Sequence, residues 1–269
     1  MFTPKDKKAL VTATRTCVKV SADGVCSAGP NGAIGTWDVT LVTDISSVFS
    51  GIRTFKADIS NWNVAKVTNM NGMFYRAEVF NGDLGKWDVG EVTNMYSMFQ
   101  NAKVFNGDLG KWNVAKVTTM TYMFNVMDKF TGAGLENWNV GKVRSFNHMF
   151  QENRVFNADL SKWNMGSATN LYGMFLDAPV FNSDITNWDT SKVTNMGHVF
   201  YQAKAFNIDI SAWDVRKVTS MSAMFLGASA FSQTLCGVAW RTSTAQQSNM
   251  FSGTKSGSIT WKACGSKSP

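Results

Sequence analysis

Apolar residues recur along this chain at an interval near 25. Tryptophan stands at 37, 62, 87, 112, 138, 163, 188 and 213, a step of 25 with a single 26. Phe80, Phe105, Phe130, Phe156, Phe181, Phe206 and Phe231 keep the same beat, as do Phe74, Phe99, Phe124, Phe150, Phe175, Phe200, Phe225 and Phe251. Self-similarity at such a period marks a stack of like units. Within one unit, Trp87 and Val89 alternate around Asp88, which predicts a short strand with one buried face. Val92, Met95, Phe99 and Ala102 then fall at i, i+3, i+7 and i+10, which predicts about two turns of helix with Thr93 as its N-cap. Phe105-Asn106-Gly107-Asp108 supplies turn chemistry before Leu109 opens the next unit.

The expected architecture is an α/β repeat. About nine coils stack their strands in parallel, ~4.8 Å apart, into one sheet roughly 40 Å long. The Trp and Phe columns form the core, and Met70, Met95, Met120, Met196 and Met221 fill what the rings leave. Residues 1–33 form an N-terminal cap, with an amphipathic helix over 3–16 opening at Thr3-Pro4. Residues 34–233 form the repeat body. Residues 234–269 form a stretched last unit and C-terminal cap, Trp240 coming 27 after Trp213.

Composition narrows the setting. Charged residues are 17% and apolar residues 44%, so the surface is largely neutral and polar around a continuous core. The formal charge of +7 admits an acidic partner, yet no pattern specific to nucleic acid occurs. No apolar run reaches the roughly 18 residues of a membrane span. The start, MFTPKDKKAL, lacks a signal-like stretch, which predicts either an intracellular chain or a mature secreted form whose signal peptide is gone. Cys17 and Cys26 precede the first repeat, and Cys236 and Cys264 follow the last regular one. One disulfide per cap, Cys17–Cys26 and Cys236–Cys264, is the simplest reading and implies an oxidising compartment; four buried thiols in a cytosolic protein are the alternative.

The pattern L-x-x-W-D/N-V-x-x-V-T-N-M-x-x-M-F-x-x-A-x-x-F-N-x-D, over about residues 34–252, resembles the BspA-type leucine-rich repeat of bacterial surface proteins and algal secreted proteins. The resemblance implies a right-handed leucine-rich-repeat solenoid and an extracellular role in binding or adhesion. In it, L-x-x-W-x-V corresponds to the general L-x-x-L-x-L. Thr131, Gly134 and Arg144 depart from the pattern and predict a local irregularity over 131–146.

Catalytic chemistry finds no constellation. His148 and His198 share one repeat position two coils apart, about 10 Å, too far to share a zinc ion. The recurrent Asp58, Asp83, Asp108, Asp159, Asp184 and Asp209 read as turn-forming carboxylates, because an active site needs a unique arrangement. No catalytic residue, metal site or cofactor is assigned. Binding is the better class. Outward positions beside the buried Trp form a grid, of which Lys86, Asp88, Lys111, Asn113, Asn137, Asn139, Lys162, Asn164, Asn187 and Asp189 are the candidate ligand-binding residues. The expected partner is a protein or polysaccharide at the cell surface or in an extracellular assembly, and the chain is expected to be non-catalytic. An assembly subunit is the alternative, and ice binding by the column Thr43, Thr68, Thr93, Thr118, Thr169, Thr194 and Thr219 the weaker one.

Overall fold

A computed structural model of the chain describes residues 1–262 and Cys264. Successive units of 25 residues lie directly on one another. Parallel bridges link Asp44 to Asn69, Asn69 to Asn94, and onward unit by unit to Ser220 and Gln246. In the first coil, the amides of Ile45, Ser47, Phe49 and Gly51 donate to the carbonyls of Asn69, Asn71, Met73 and Tyr75 at 2.7–3.0 Å. The same four positions repeat in every following coil, as far as Met221, Ala223, Phe225 and Gly227, which donate to Gln246, Ser248, Met250 and Ser252. All of these bonds point the same way along the stack.

The ladder therefore runs through V-T-N-M-x-x-M-F, where the sequence predicts helix. Amides between the ladder donors turn back within their own coil, as Met73 to Met70, Tyr75 to Gly72 and Ala77 to Phe74. Two left-handed residues four apart make this possible: Gly72 and Arg76 (both φ 56°), Ser97 and Asn101, Tyr122 and Val126, His148 and Glu152. An α-helix sends each amide four residues back along its own chain. Here half of the amides instead reach the next coil. The turn ribbon buries Val92, Met95, Phe99 and Ala102, the positions a helix would bury, so apolar spacing does not separate the two conformations. Thr93 is no helix cap; its hydroxyl donates to the Thr68 carbonyl of the preceding coil at 3.2 Å.

The predicted strand Trp87-Asp88-Val89 is likewise reassigned. Its equivalents Trp37 (φ −70°, ψ 137°) and Trp138 (φ −75°, ψ 129°) are extended near polyproline II, outside any ladder. This side of the stack is tied through side chains. The indole Nε1 of Trp87 donates to the Ile59 carbonyl, that of Trp112 to Leu84 at 2.9 Å and that of Trp163 to Leu135 at 2.8 Å. Each indole from Trp62 to Trp213 thus satisfies its one polar atom on the coil before it, whereas the Trp240 indole nitrogen in the last unit is buried without a partner among the described residues.

Rings fill the interior in two files. Phe74 stacks on Phe80 of its own coil at 4.2 Å and on Phe99 of the next at 5.4 Å, and Phe80 on Phe105 at 6.0 Å. The irregularity falls where the sequence places it. Phe130 to Leu135 holds one residue more than Phe105 to Leu109, and Leu135–Asn137 forms a 3-10 turn behind left-handed Gly134 (φ 87°). A Cβ on Gly134 would stand 2.2 Å from the Gly110 nitrogen, so glycine is required there.

Both ends differ from the body. Helix α1 (Lys7–Val20) is capped by Asp6, which accepts from the Ala9 amide at 2.8 Å. The predicted opening at Thr3-Pro4 is three residues early, because the Asp6 carboxylate, not the proline, satisfies the free amides. Helix α1 buries Leu10, Ala13, Thr14 and Cys17 against the first coil. Its Arg15 Nη2 donates to the Ser50 carbonyl at 3.1 Å. At the far end, β1 (Thr234–Leu235) pairs in parallel with β2 (Ser258–Ile259), and α2 (Val238–Arg241) carries Trp240. Disulfides Cys17–Cys26 and Cys236–Cys264 close the two ends as the cysteine positions predict.

Candidate functional site

On the indole side, the residues flanking each buried Trp must point outward. Lys86, Asp88, Lys111, Asn113, Asn137, Asn139, Lys162, Asn164, Asn187 and Asp189 are all exposed, repeating coil by coil over a floor of Trp rings. Half of the grid is held by local turns. Asp88 accepts from the Gly90 amide, Asn113 from Ala115, Asn139 from Gly141, Asn164 from Gly166 and Asp189 from Ser191, at 3.0–3.2 Å. The lysines are unrestrained by comparison. Hydroxyl and amide of Ser191 beside Asp189 hold its carboxyl below the usual range. Asp214 continues the column and is lowered to about 2, chiefly by the Arg216 guanidinium 2.5 Å away. Glu136, Asn137, Trp138, Asn139, Lys162 and Asn164 line a depression of about 360 Å³ in the grid, beside the inserted residue. Polar donors and acceptors over an aromatic floor suit an extended, hydrogen-bonding ligand.

Other carboxylates serve the chain itself. Asp58, Asp83, Asp108, Asp159, Asp184 and Asp209 each accept from the amide two residues on, at 2.8–3.0 Å. The Thr column is similarly committed, Thr118, Thr169, Thr194 and Thr219 donating to the carbonyl of the coil before.

Two features escape the sequence. The histidines are not isolated: Tyr122 stacks on His148 at 4.9 Å, His148 meets Tyr172 edge-on at 5.1 Å, and Tyr172 lies 5.2 Å from His198. Burial lowers the affinity of both imidazoles for a proton, and His198 depresses His148 further while Gln151 opposes it. In this half-buried file Tyr122, His148 and His198 share one repeat position and Tyr172 sits one residue earlier, so no single column holds it all. A spacing of aromatic residues near 25, allowed to slip by one, is the signal that finds it. The second feature is a groove of about 510 Å³ lined by Asp128, Glu152, Arg154, Asp177, Gln202 and Lys204. Burial and the neighbouring Glu152 push the Asp177 carboxyl up, against Lys204. Among the described residues, no three His, Cys, Asp or Glu side chains are placed to hold a metal ion, and no helix is long and apolar enough to cross a membrane.

A family described as Mycoplasma protein of unknown function, DUF285, matches the chain in four overlapping stretches, 24–134, 105–190, 125–240 and 167–261. Together they cover the repeat body from the first coil to the last. The chain is a DUF285 protein. The overlap of the matches follows from the period, since a repeated unit fits the family in several registers. No curated protein and no solved structure matches the DUF285 chain. Its two disulfides fit an oxidising, extracytoplasmic setting.

Proposed function

We propose that this DUF285 protein is a non-catalytic recognition module of the cell surface or the secreted fraction, a leucine-rich-repeat solenoid of the BspA type. It binds an extended protein or polysaccharide across its indole side. The observation that carries the reading is the grid: ten polar side chains, all exposed, in register over buried tryptophans. Repetition at the coil spacing matches a ligand that itself repeats, and solenoids expose broad surfaces of this kind. The committed Thr hydroxyls lend the ice-binding alternative less support than the grid lends binding.

The test combines a polysaccharide array and a panel of immobilised extracellular proteins with wild type and the triple variant Lys86→Glu/Lys111→Glu/Lys162→Glu. The proposal expects a wild-type ligand whose binding falls at least about tenfold in the variant. Undiminished binding in a folded variant makes the indole side passive. Light scattering on the native protein separates this from an assembly subunit, which would run as a multimer.

A further inference from the structure

The one-way ladder has two unlike ends. Every coil before the last passes four ladder amides forward, and every coil after the first receives on four carbonyls, while a single Thr amide per regular coil, such as Thr93 on the Thr68 carbonyl, reaches back. In the last coil, the carbonyls of Gln246, Ser248, Met250 and Ser252 are taken by the coil before, while the amides of Gln247, Asn249, Phe251 and Gly253 meet no acceptor among the described residues. Gln247, Asn249 and Gly253 are exposed, and the Phe251 ring, stacked on Phe225 at 5.5 Å, is half-buried. The stack thus ends in a row of donors beside an aromatic face.

At the opposite end the helical cap lies over the acceptor row. Helix α1 lies across the first coil, Arg15 donating to the Ser50 main-chain carbonyl and Lys7 meeting the Ser46 hydroxyl and the Asp44 carboxylate. A second copy cannot extend the ladder head to tail without displacing α1. Two C-terminal ends would oppose donor to donor. The occupant of the row is therefore a different strand.

Charge indicates its chemistry. No Asp or Glu follows Asp214, whereas Arg216, Lys217, Arg241, Lys255, Lys262 and Lys267 do, the last lying outside the described residues. Residues 34–214 hold 15 basic and 17 acidic side chains, so the excess positive charge belongs to the two ends. Free, aligned amides add partial positive charge, as at a helix N-terminus. We propose that the C-terminal rung binds an acidic polypeptide segment as an added parallel strand. Its main-chain carbonyls accept from Gln247, Asn249, Phe251 and Gly253, an apolar side chain covers Phe251, and its carboxylates face Lys255 and Lys262. Strand addition at an open edge draws affinity from main-chain bonds and specificity from side chains.

The probe is a fluorescein-labelled peptide of residues 92–103, a ladder segment of this chain, carrying Thr93→Glu, Tyr96→Glu, Gln100→Glu and Lys103→Glu. Saturable 1:1 binding by anisotropy is expected, weakened at least about tenfold by Lys255→Glu/Lys262→Glu. Gln247→Pro deletes one exposed donor and should weaken binding about fivefold. The all-D peptide has the same charge but cannot form the same parallel ladder, and should not bind. Hydrogen exchange on the wild-type protein should show new protection at residues 247, 249, 251 and 253 with peptide present, a readout independent of any variant's folding. Equal binding of the D-peptide or of a heparin oligosaccharide, or exchange unchanged at those four amides, would overturn the proposal in favour of a general polyanion surface or none.

Discussion

A buried indole has one donor to place, and seven in this chain place it on a main-chain carbonyl 28 or 29 residues earlier. Trp112 Nε1 on the Leu84 carbonyl stands for seven such ties, from Trp62 to Trp213. Trp112→Phe keeps an aromatic ring but removes one of the two bonds that carbonyl accepts, the Trp87 amide keeping the other, at a cost of about 0.5–1.5 kcal/mol before any cavity is counted. Trp37 donates instead to Asn31 and Gly32 carbonyls in the N-terminal cap, where the bonds are only partly buried. Urea unfolding should therefore show a larger loss for Trp112→Phe than for Trp37→Phe; equal losses would mean that volume alone matters. The tryptophan column was visible in the sequence because nothing else holds a 25-residue beat so strictly. Its hydrogen bond was not visible, since the accepting group is main chain.

The element that defines this architecture is a ribbon of turns. Its apolar positions, such as Met95, Phe99 and Ala102, repeat as in a helix, and the residues that break the helix leave no mark: Arg76, Tyr122, His148 and Glu152 are left-handed without being glycine. Sequence reasoning consequently found the unit, its buried positions, its caps and its disulfides, but exchanged ladder and extended segment. The outward grid survived the exchange because it depends only on flanking a buried Trp. The aspartate turns make a prediction at this scale. Amide and hydroxyl donors of Ser60, Ser161 and Thr186 hold the carboxyls of Asp58, Asp159 and Asp184 below their ordinary value of 3.8. A depressed folded pKa stabilises above the unfolded value and is lost as pH falls through the folded one. Stability should thus decline below pH 3.8, a window that Asp214, at about 2, extends downward. Asp58→Asn/Asp159→Asn/Asp184→Asn keeps the accepting oxygen and should flatten that acid limb in denaturation curves, with little change at neutral pH. An unaltered limb would assign acid sensitivity elsewhere.

At the scale of the molecule, the stack is polar in the sense of a magnet: each coil has the same front and back, and only the termini are unique. One consequence concerns length. Because the indole tie crosses from one coil to the one before, any coil can be excised cleanly between equivalent positions and the cut faces meet as native neighbours. Joining Leu84 to Gly110 restores L-G-K-W across the seam; Trp112 then takes the place of Trp87 on the Ile59 carbonyl, and Trp138 finds Leu84 where Leu109 stood. The protein lacking residues 85–109 should express as a folded, cooperatively melting chain one coil shorter, by circular dichroism and calorimetry; an aggregated or molten product would show that the coils are not interchangeable. Recombination within such a gene can therefore lengthen or shorten the protein like a telescope, with selection left to act on reach.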